Sequence, residues 1–134
     1  MIVTEPPSLG EMQIAELVHE FYRRVRQDPL IGPVFEAGIA DWEPHLARMC
    51  DFWSSVMLTT GRYKGNPVAA HLRHPLRPEH FARWLALFAQ TVRSLFAPPL
   101  AERFVLKSER IAESLKLALF YRPGAPAVPA GVAG

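Results

Sequence analysis

Between residues 11 and 26 the apolar side chains fall at Ile14, Leu17, Val18, Phe21, Tyr22 and Val25. Steps of three and four place them along one side of a helix, so this segment is predicted to be helical with one buried face. Pro29 ends it, because proline lacks an N–H and its ring clashes with the preceding turn. The stretch to Phe35 contains Gly32-Pro33, and the expectation there is a short turn or a single helical turn. A second long helix is predicted over residues 41–58, with Trp42, Leu46, Met49, Phe52, Trp53, Val56 and Met57 as its apolar set. Asp41 suits its N-cap, where a carboxylate accepts from an otherwise unpaired backbone N–H.

Residues 59–67 read as a loop closed by Asn66-Pro67, an N-cap followed by the helical position at which proline is best tolerated. The helix that starts there must be short, since Pro75 and Pro78 follow. Pro78 opens a further long helix carrying Phe81, Trp84, Leu85, Phe88, Val92 and Leu95 on one face. A last helix over residues 100–121 is expected to bury Phe104, Ile111, Leu115 and Leu119. Strand-like alternation is missing, so the fold class is all-α. Pro6 and Pro7 make residues 1–10 a flexible arm. Residues 122–134, rich in Pro, Gly and Ala, hold too little large apolar surface to offset the entropy of ordering them. One domain over residues 11–121 lies between.

Composition narrows the function classes. At 49% hydrophobic and 21% charged residues the chain has material for a normal core, and its net charge of +2 carries no Lys/Arg stripe of the kind a nucleic acid needs. Arg23, Arg24 and Arg26 read as a solvated helix face. Cys50 is the single cysteine, which excludes a disulfide scaffold and reads as a small buried hydrophobe. No run of about 18 apolar residues suggests a membrane span, and the first residues lack the build of a secretory signal; the expected location is cytoplasmic.

A glycine-rich phosphate loop, a nucleophile elbow, a CxxC pair and an H-E-x-x-H pattern are all missing. His71 and His74 have a spacing that suits a metal, but Pro75 disfavours a helix through His74. His19 and His80 sit beside charged residues and are expected to face solvent. What remains is Tyr22, His45 and Trp84, each on the apolar side of a different predicted helix. Buried Tyr and Trp need partners for their O–H and N–H, and a few polar tips converging in apolar space is how ligand sites are commonly built. Periodicity does not establish that they converge.

Read in order, Phe21-Tyr22, Asp28 through Gly32-Pro33-Val34-Phe35, Trp42-x-x-His45, Phe52-Trp53-Ser54, Tyr63-x-Gly65-x-Pro67-x-x-x-His71 and Phe81-x-x-Trp84-Leu85 resemble the group III (P-type) truncated haemoglobins. The likeness covers nearly all of the chain outside its two arms. It implies a truncated globin fold with two helices packed over two, and haem b (iron protoporphyrin) as cofactor. His71 then corresponds to the axial ligand of the haem iron, with its second ring nitrogen donating to a backbone carbonyl or similar partner. Tyr22, His45 and Trp84 correspond to the distal set, where donors in a dry pocket stabilise the partial negative charge that a diatomic ligand gathers; His45 either donates too or swings outward as a gate. Phe35, Met49, Phe52, Trp53 and Val68 are implied as haem contacts, Met49 departing from the aliphatic residue expected there. Arg48, Arg62, Arg73 and His74 are candidates by position for the propionates.

The resemblance implies binding of dioxygen, carbon monoxide and nitric oxide by a monomer, with neither nucleic acid nor membrane as partner. Two distal donors would slow ligand release, which suits chemistry on nitric oxide or peroxide, of a dioxygenase or peroxidase-like kind fed by a separate reductase. Two alternatives stay open: an oxygen carrier or sensor without catalysis, and a cofactor-free helical interaction domain.

Overall fold

The structure is a computed structural model that describes residues 9–67, His71 and residues 76–120. The expected arm and tail fall largely outside the described residues, as do Val68, Arg73 and His74. In chain order the helices are α1 (Glu11–Gln27), α2 (Gly32–Gly38), α3 (Trp42–Leu58), α4 (Pro78–Leu95) and α5 (Pro98–Phe120). No strand occurs among the described residues, and none of their helices is long and apolar enough to cross a membrane.

α1 buries the stripe read from its sequence: Ile14, Leu17, Val18, Phe21, Tyr22 and Val25. At its start the Gly10 N–H donates to the Gln13 side chain at 2.9 Å. At its end Asp28 turns the chain: one carboxylate oxygen accepts from the N–H groups of Leu30 and Ile31 at 3.1 and 3.0 Å, and the other accepts from Arg83 of α4 at 2.7 Å. α2 exceeds the single turn expected, because Gly32-Pro33 begins the helix instead of interrupting it. Proline costs nothing at an N-terminal position whose N–H has no helical partner. Gly32 is needed there for another reason. A Cβ would lie 2.9 Å from the Val25 carbonyl oxygen and 3.1 Å from that of Arg26, so only glycine lets α2 fold this tightly onto the end of α1.

α3 is capped by Asp41, whose side chain accepts from the Glu43 N–H at 3.3 Å. α4 and α5 are joined through Phe96 and Ala97, a connection short enough to force them antiparallel, and Phe96 stacks on Phe104 at 5.4 Å across the join. α5 starts at Pro98, slightly earlier than expected. α4 and α5 form one layer and α1 packs against both α3 and α4, giving the two-over-two sandwich.

A further expectation fails. His80 is only 8% exposed, and its Nδ1 accepts from the Arg77 N–H at 3.0 Å. The reason is capping: three residues into α4, a neutral imidazole satisfies an amide that the helix leaves open. His19 is exposed as expected, its Nδ1 against the Ala15 carbonyl at 2.8 Å. Cys50 is half-buried, packed against the core and without a disulfide, and burial pushes its thiol pKa up.

Candidate functional site

Tyr22 projects from the buried face of α1 into the space between α3 and α4. His45 of α3 meets it edge-on, with ring centroids 5.0 Å apart and planes 87° apart. Trp84 of α4 brings its indole donor to the Tyr22 oxygen. The three predicted distal residues are therefore brought together from three helices. Burial pushes the Tyr22 phenol well above its ordinary pKa, outweighing the opposing effect of Trp84, so the hydroxyl keeps its proton. An indole N–H can only donate, so with Trp84 beside its oxygen Tyr22 keeps its own O–H to offer to something else.

Trp84 is held in place by aromatic packing. Its ring stacks on Phe88 at 5.2 Å, Trp53 stacks on Phe88 at 4.8 Å, and Phe21 meets both Trp84 and Phe88 edge-on at 5.4 and 5.1 Å. Trp53 is thus a core residue, packed also on Phe104 at 5.7 Å. Phe35 meets Tyr22 edge-on at 5.8 Å. Met49 and Phe52 are half-buried against the core, Phe52 resting against Tyr63 at 5.2 Å. Gly65 accommodates that tyrosine, since a Cβ there would meet its ring and hydroxyl.

His45 itself carries an anomaly. Its Nε2 is buried and has no hydrogen-bond partner, although buried polar atoms nearly always have one. Burial is the main reason that its pKa falls to about 4, and the neighbouring Arg48 and His71 lower it further. The imidazole is neutral at ordinary pH. The influence of His71 also places the two imidazoles near each other, one on α3 and the other on the segment that follows Pro67.

At His71, Nδ1 donates to the Pro67 carbonyl oxygen at 2.5 Å. That bond fixes the tautomer with the lone pair on Nε2, the arrangement in which a histidine ligates a metal. Phe81 supports the ring from α4, with centroids 6.5 Å apart. Among the described residues no three His, Cys, Asp or Glu side chains gather to hold a metal ion. The donor set is one imidazole nitrogen, which suits a metal that brings its remaining ligands with it, as haem iron does. With an unpartnered polar atom and two further donors beside it, the residues present fit that group.

The propionate candidates separate. Arg48 is exposed on α3, and its charge acts on both His45 and Tyr63, so it stands at the edge of this cluster. Arg62 instead pairs with Glu11 at 3.2 Å, and the same carboxylate oxygen of Glu11 accepts from Ser54 at 2.8 Å. Sequence reasoning missed the part played by Trp42, which lies edge-on to His45 at 5.6 Å and 5.9 Å from Tyr22. Its spacing of three from His45 on one helix face was the available signal.

Comparison with known proteins is consistent with this geometry. A family model described as bacterial-like globin matches residues 9–115. A curated group 3 truncated hemoglobin of Campylobacter jejuni is 29% identical over 118 residues, covering 84% of this chain and 93% of that one. The crystal structure of a group III truncated hemoglobin from Campylobacter jejuni superposes with a TM-score of 0.80 at 28% identity, covering 91% of this chain and all of the other.

Proposed function

Because the chain belongs to the bacterial-like globin family, in its group III truncated haemoglobin form, we propose that it holds haem b through His71 and binds dioxygen, carbon monoxide and nitric oxide on the side that Tyr22, His45 and Trp84 face. The observations that carry this reading are the states of two histidines: His71, its tautomer fixed by the Pro67 carbonyl, and His45, whose buried Nε2 has no partner.

When bound, haem would supply an iron able to take up a diatomic ligand. The protein's own residues do the rest. His71 Nε2 would offer the lone pair that holds the iron. Trp84 donates to the Tyr22 oxygen and leaves the Tyr22 hydroxyl directed outward as a donor; a hydrogen bond given to a charge-bearing ligand is strengthened when its donor is itself polarised by another. Phe35, Met49 and Phe52 exclude water, and Arg48 offers a cation at the edge for a propionate. Two aligned donors favour slow release, which fits redox chemistry on nitric oxide or peroxide fed by a separate reductase better than rapid delivery of oxygen.

The test is an absorption spectrum of the purified protein in oxidised, reduced and carbon monoxide-treated forms, compared with His71→Ala. A Soret band that the variant loses supports the assignment. A colourless protein that refuses added hemin returns the chain to a cofactor-free helical domain, and a haem protein without turnover of nitric oxide or peroxide in the presence of a reductant is a carrier or sensor.

A further inference from the structure

On the outer side of the distal cluster three residues from three helices close a ring of contacts. Arg26, near the end of α1, donates its Nε–H to Glu36 of α2 at 2.7 Å. The other carboxylate oxygen of Glu36 accepts from the Trp42 indole N–H at 3.4 Å. Arg26 also lies over the Trp42 ring, its guanidinium carbon 4.5 Å from the ring centroid. Each member touches both others, so Trp42 is fixed in plane by one contact and in depth by the other. The Arg26 hydrogen bond keeps the Glu36 carboxyl below its ordinary pKa, so the ring is charged at neutral pH.

The triad also stands at an opening. A groove of about 450 Å3 runs along this surface, with Arg26, Glu36, Trp42 and Leu46 in its wall and Tyr22 at its base. His45, Met49 and His71 are not part of that lining, so the groove lies outside the cluster and meets it at Tyr22. Trp42 lines this groove and meets His45 edge-on. His45 has no hydrogen bond at Nε2 to hold it inward; what borders it is Trp42 edge-on at 5.6 Å and Tyr22 edge-on at 5.0 Å. Removing Trp42 from its place would leave the imidazole bounded by Tyr22 alone on this side.

We propose that Arg26, Glu36 and Trp42 form a latch that holds His45 inward, making Trp42 a positioning residue that slows ligand entry through the groove. The consequence for ligand entry rests on the haem reading above; the geometric claim about His45 does not. Loss of one exposed ion pair or one exposed cation–π contact shifts a two-state population by about two- to fivefold. That is the change expected when a single member is removed.

Two measurements test it. In the haem-free full-length chain, the His45 ring protons are displaced by the ring currents of Trp42 and Tyr22, and their NMR resonances are followed with exposed His19 as the internal reference. Glu36→Gln and Arg26→Met are expected to move the His45 resonances toward those of His19, while Trp42→Phe, which keeps a ring but loses the indole donor, moves them partway. Unchanged His45 resonances in all three variants overturn the latch. In the haem-loaded protein, the carbon monoxide association rate after flash photolysis is expected to rise about two- to fivefold in Glu36→Gln, and to show no such rise when His45→Ala is also present. An equal rise on both backgrounds overturns action through His45. A chain that takes up no haem refutes the functional reading and the claim on ligand entry with it, while the NMR result still decides whether the triad positions His45.

Discussion

Trp84 lies flat on Phe88, with ring centroids 5.2 Å apart and planes 3° from parallel. Phe88 is fully buried and carries Trp53 in a second stacked contact at 4.8 Å. The direction in which Trp84 presents its donor is therefore set by the core. Phe88→Leu keeps most of the volume but removes both stacks, each worth about 0.5–1.5 kcal/mol beyond area burial. The expected loss is about 1–3 kcal/mol, read as a lower urea midpoint, together with a collapse of the near-ultraviolet tryptophan dichroism. An unchanged dichroism at reduced stability would show that Phe88 fills space without aiming Trp84.

The distal donors are expected to act in series. Tyr22→Phe removes the O–H offered to the ligand, and hydrogen bonds to charged groups contribute about 1.5–3 kcal/mol, so dioxygen dissociation should accelerate by roughly ten- to a hundredfold. Trp84→Phe leaves that hydroxyl in place but unpolarised and less firmly oriented, so its effect should be smaller. The double variant should release ligand little faster than Tyr22→Phe alone. Stopped-flow displacement of dioxygen by carbon monoxide measures all three. Strictly additive effects would mean that Trp84 reaches the ligand independently of Tyr22.

How much of this was legible before the structure depends on the kind of residue involved. The stripe on α1 could be read because large apolar side chains at helical spacing leave few alternatives, and every one of them is buried. α5 was read less well. Of the residues expected in its core, Phe104 and Leu115 are buried but Ile111 and Leu119 only half so, and the other buried positions are Ala101, Ser108 and Ala112; small residues carry little hydropathy signal even where their size is what permits close approach. His80 was misjudged because its neighbours in sequence are charged, whereas its environment is decided by an open backbone amide. The convergence of Tyr22, His45 and Trp84 came from resemblance to a family, since no periodicity within one helix fixes the angle between three. Arg62 shows the same limit: its place in the loop suited a propionate, but Glu11, distant in sequence, is its partner.

The Asp28–Arg83 pair ties the α1–α2 turn to the helix that bears Trp84. Burial alone would raise the Asp28 pKa, but hydrogen bonds from Arg83 and from the Ile31 and Leu30 amides outweigh it and lower the value. Asp28→Ala strands those donors and should cost about 2–3 kcal/mol. Arg83→Met should cost about 1 kcal/mol, because the Arg83 side chain is 43% exposed and solvent weakens its share. With the folded pKa below the unfolded one, the contribution of Asp28 is fully present above the ordinary value of 3.8 and is lost as pH falls through the folded value. Urea midpoints at neutral pH rank the variants, and equal losses for both would assign the whole effect to the ion pair and none to the turn.

His45 gives a dependence of the same sign at milder acidity. Its pKa is lowered from 6.5 to about 4, first by burial and then by the neighbouring Arg48 and His71. Above 6.5 the imidazole is neutral in both folded and unfolded chains, so it contributes no slope. Between 6.5 and about 4 the unfolded chain takes up a proton that the folded chain refuses, and stability falls steadily as pH drops. Below about 4 the folded protein is protonated as well and this contribution levels off. His45→Gln has no charge to acquire, so its stability should decline less between pH 6.5 and 4 than that of the native chain. Denaturant titrations at half-unit intervals across that window make the comparison, and parallel curves for the two proteins would place the His45 ring in water instead of in the half-buried position that leaves its Nε2 without a partner.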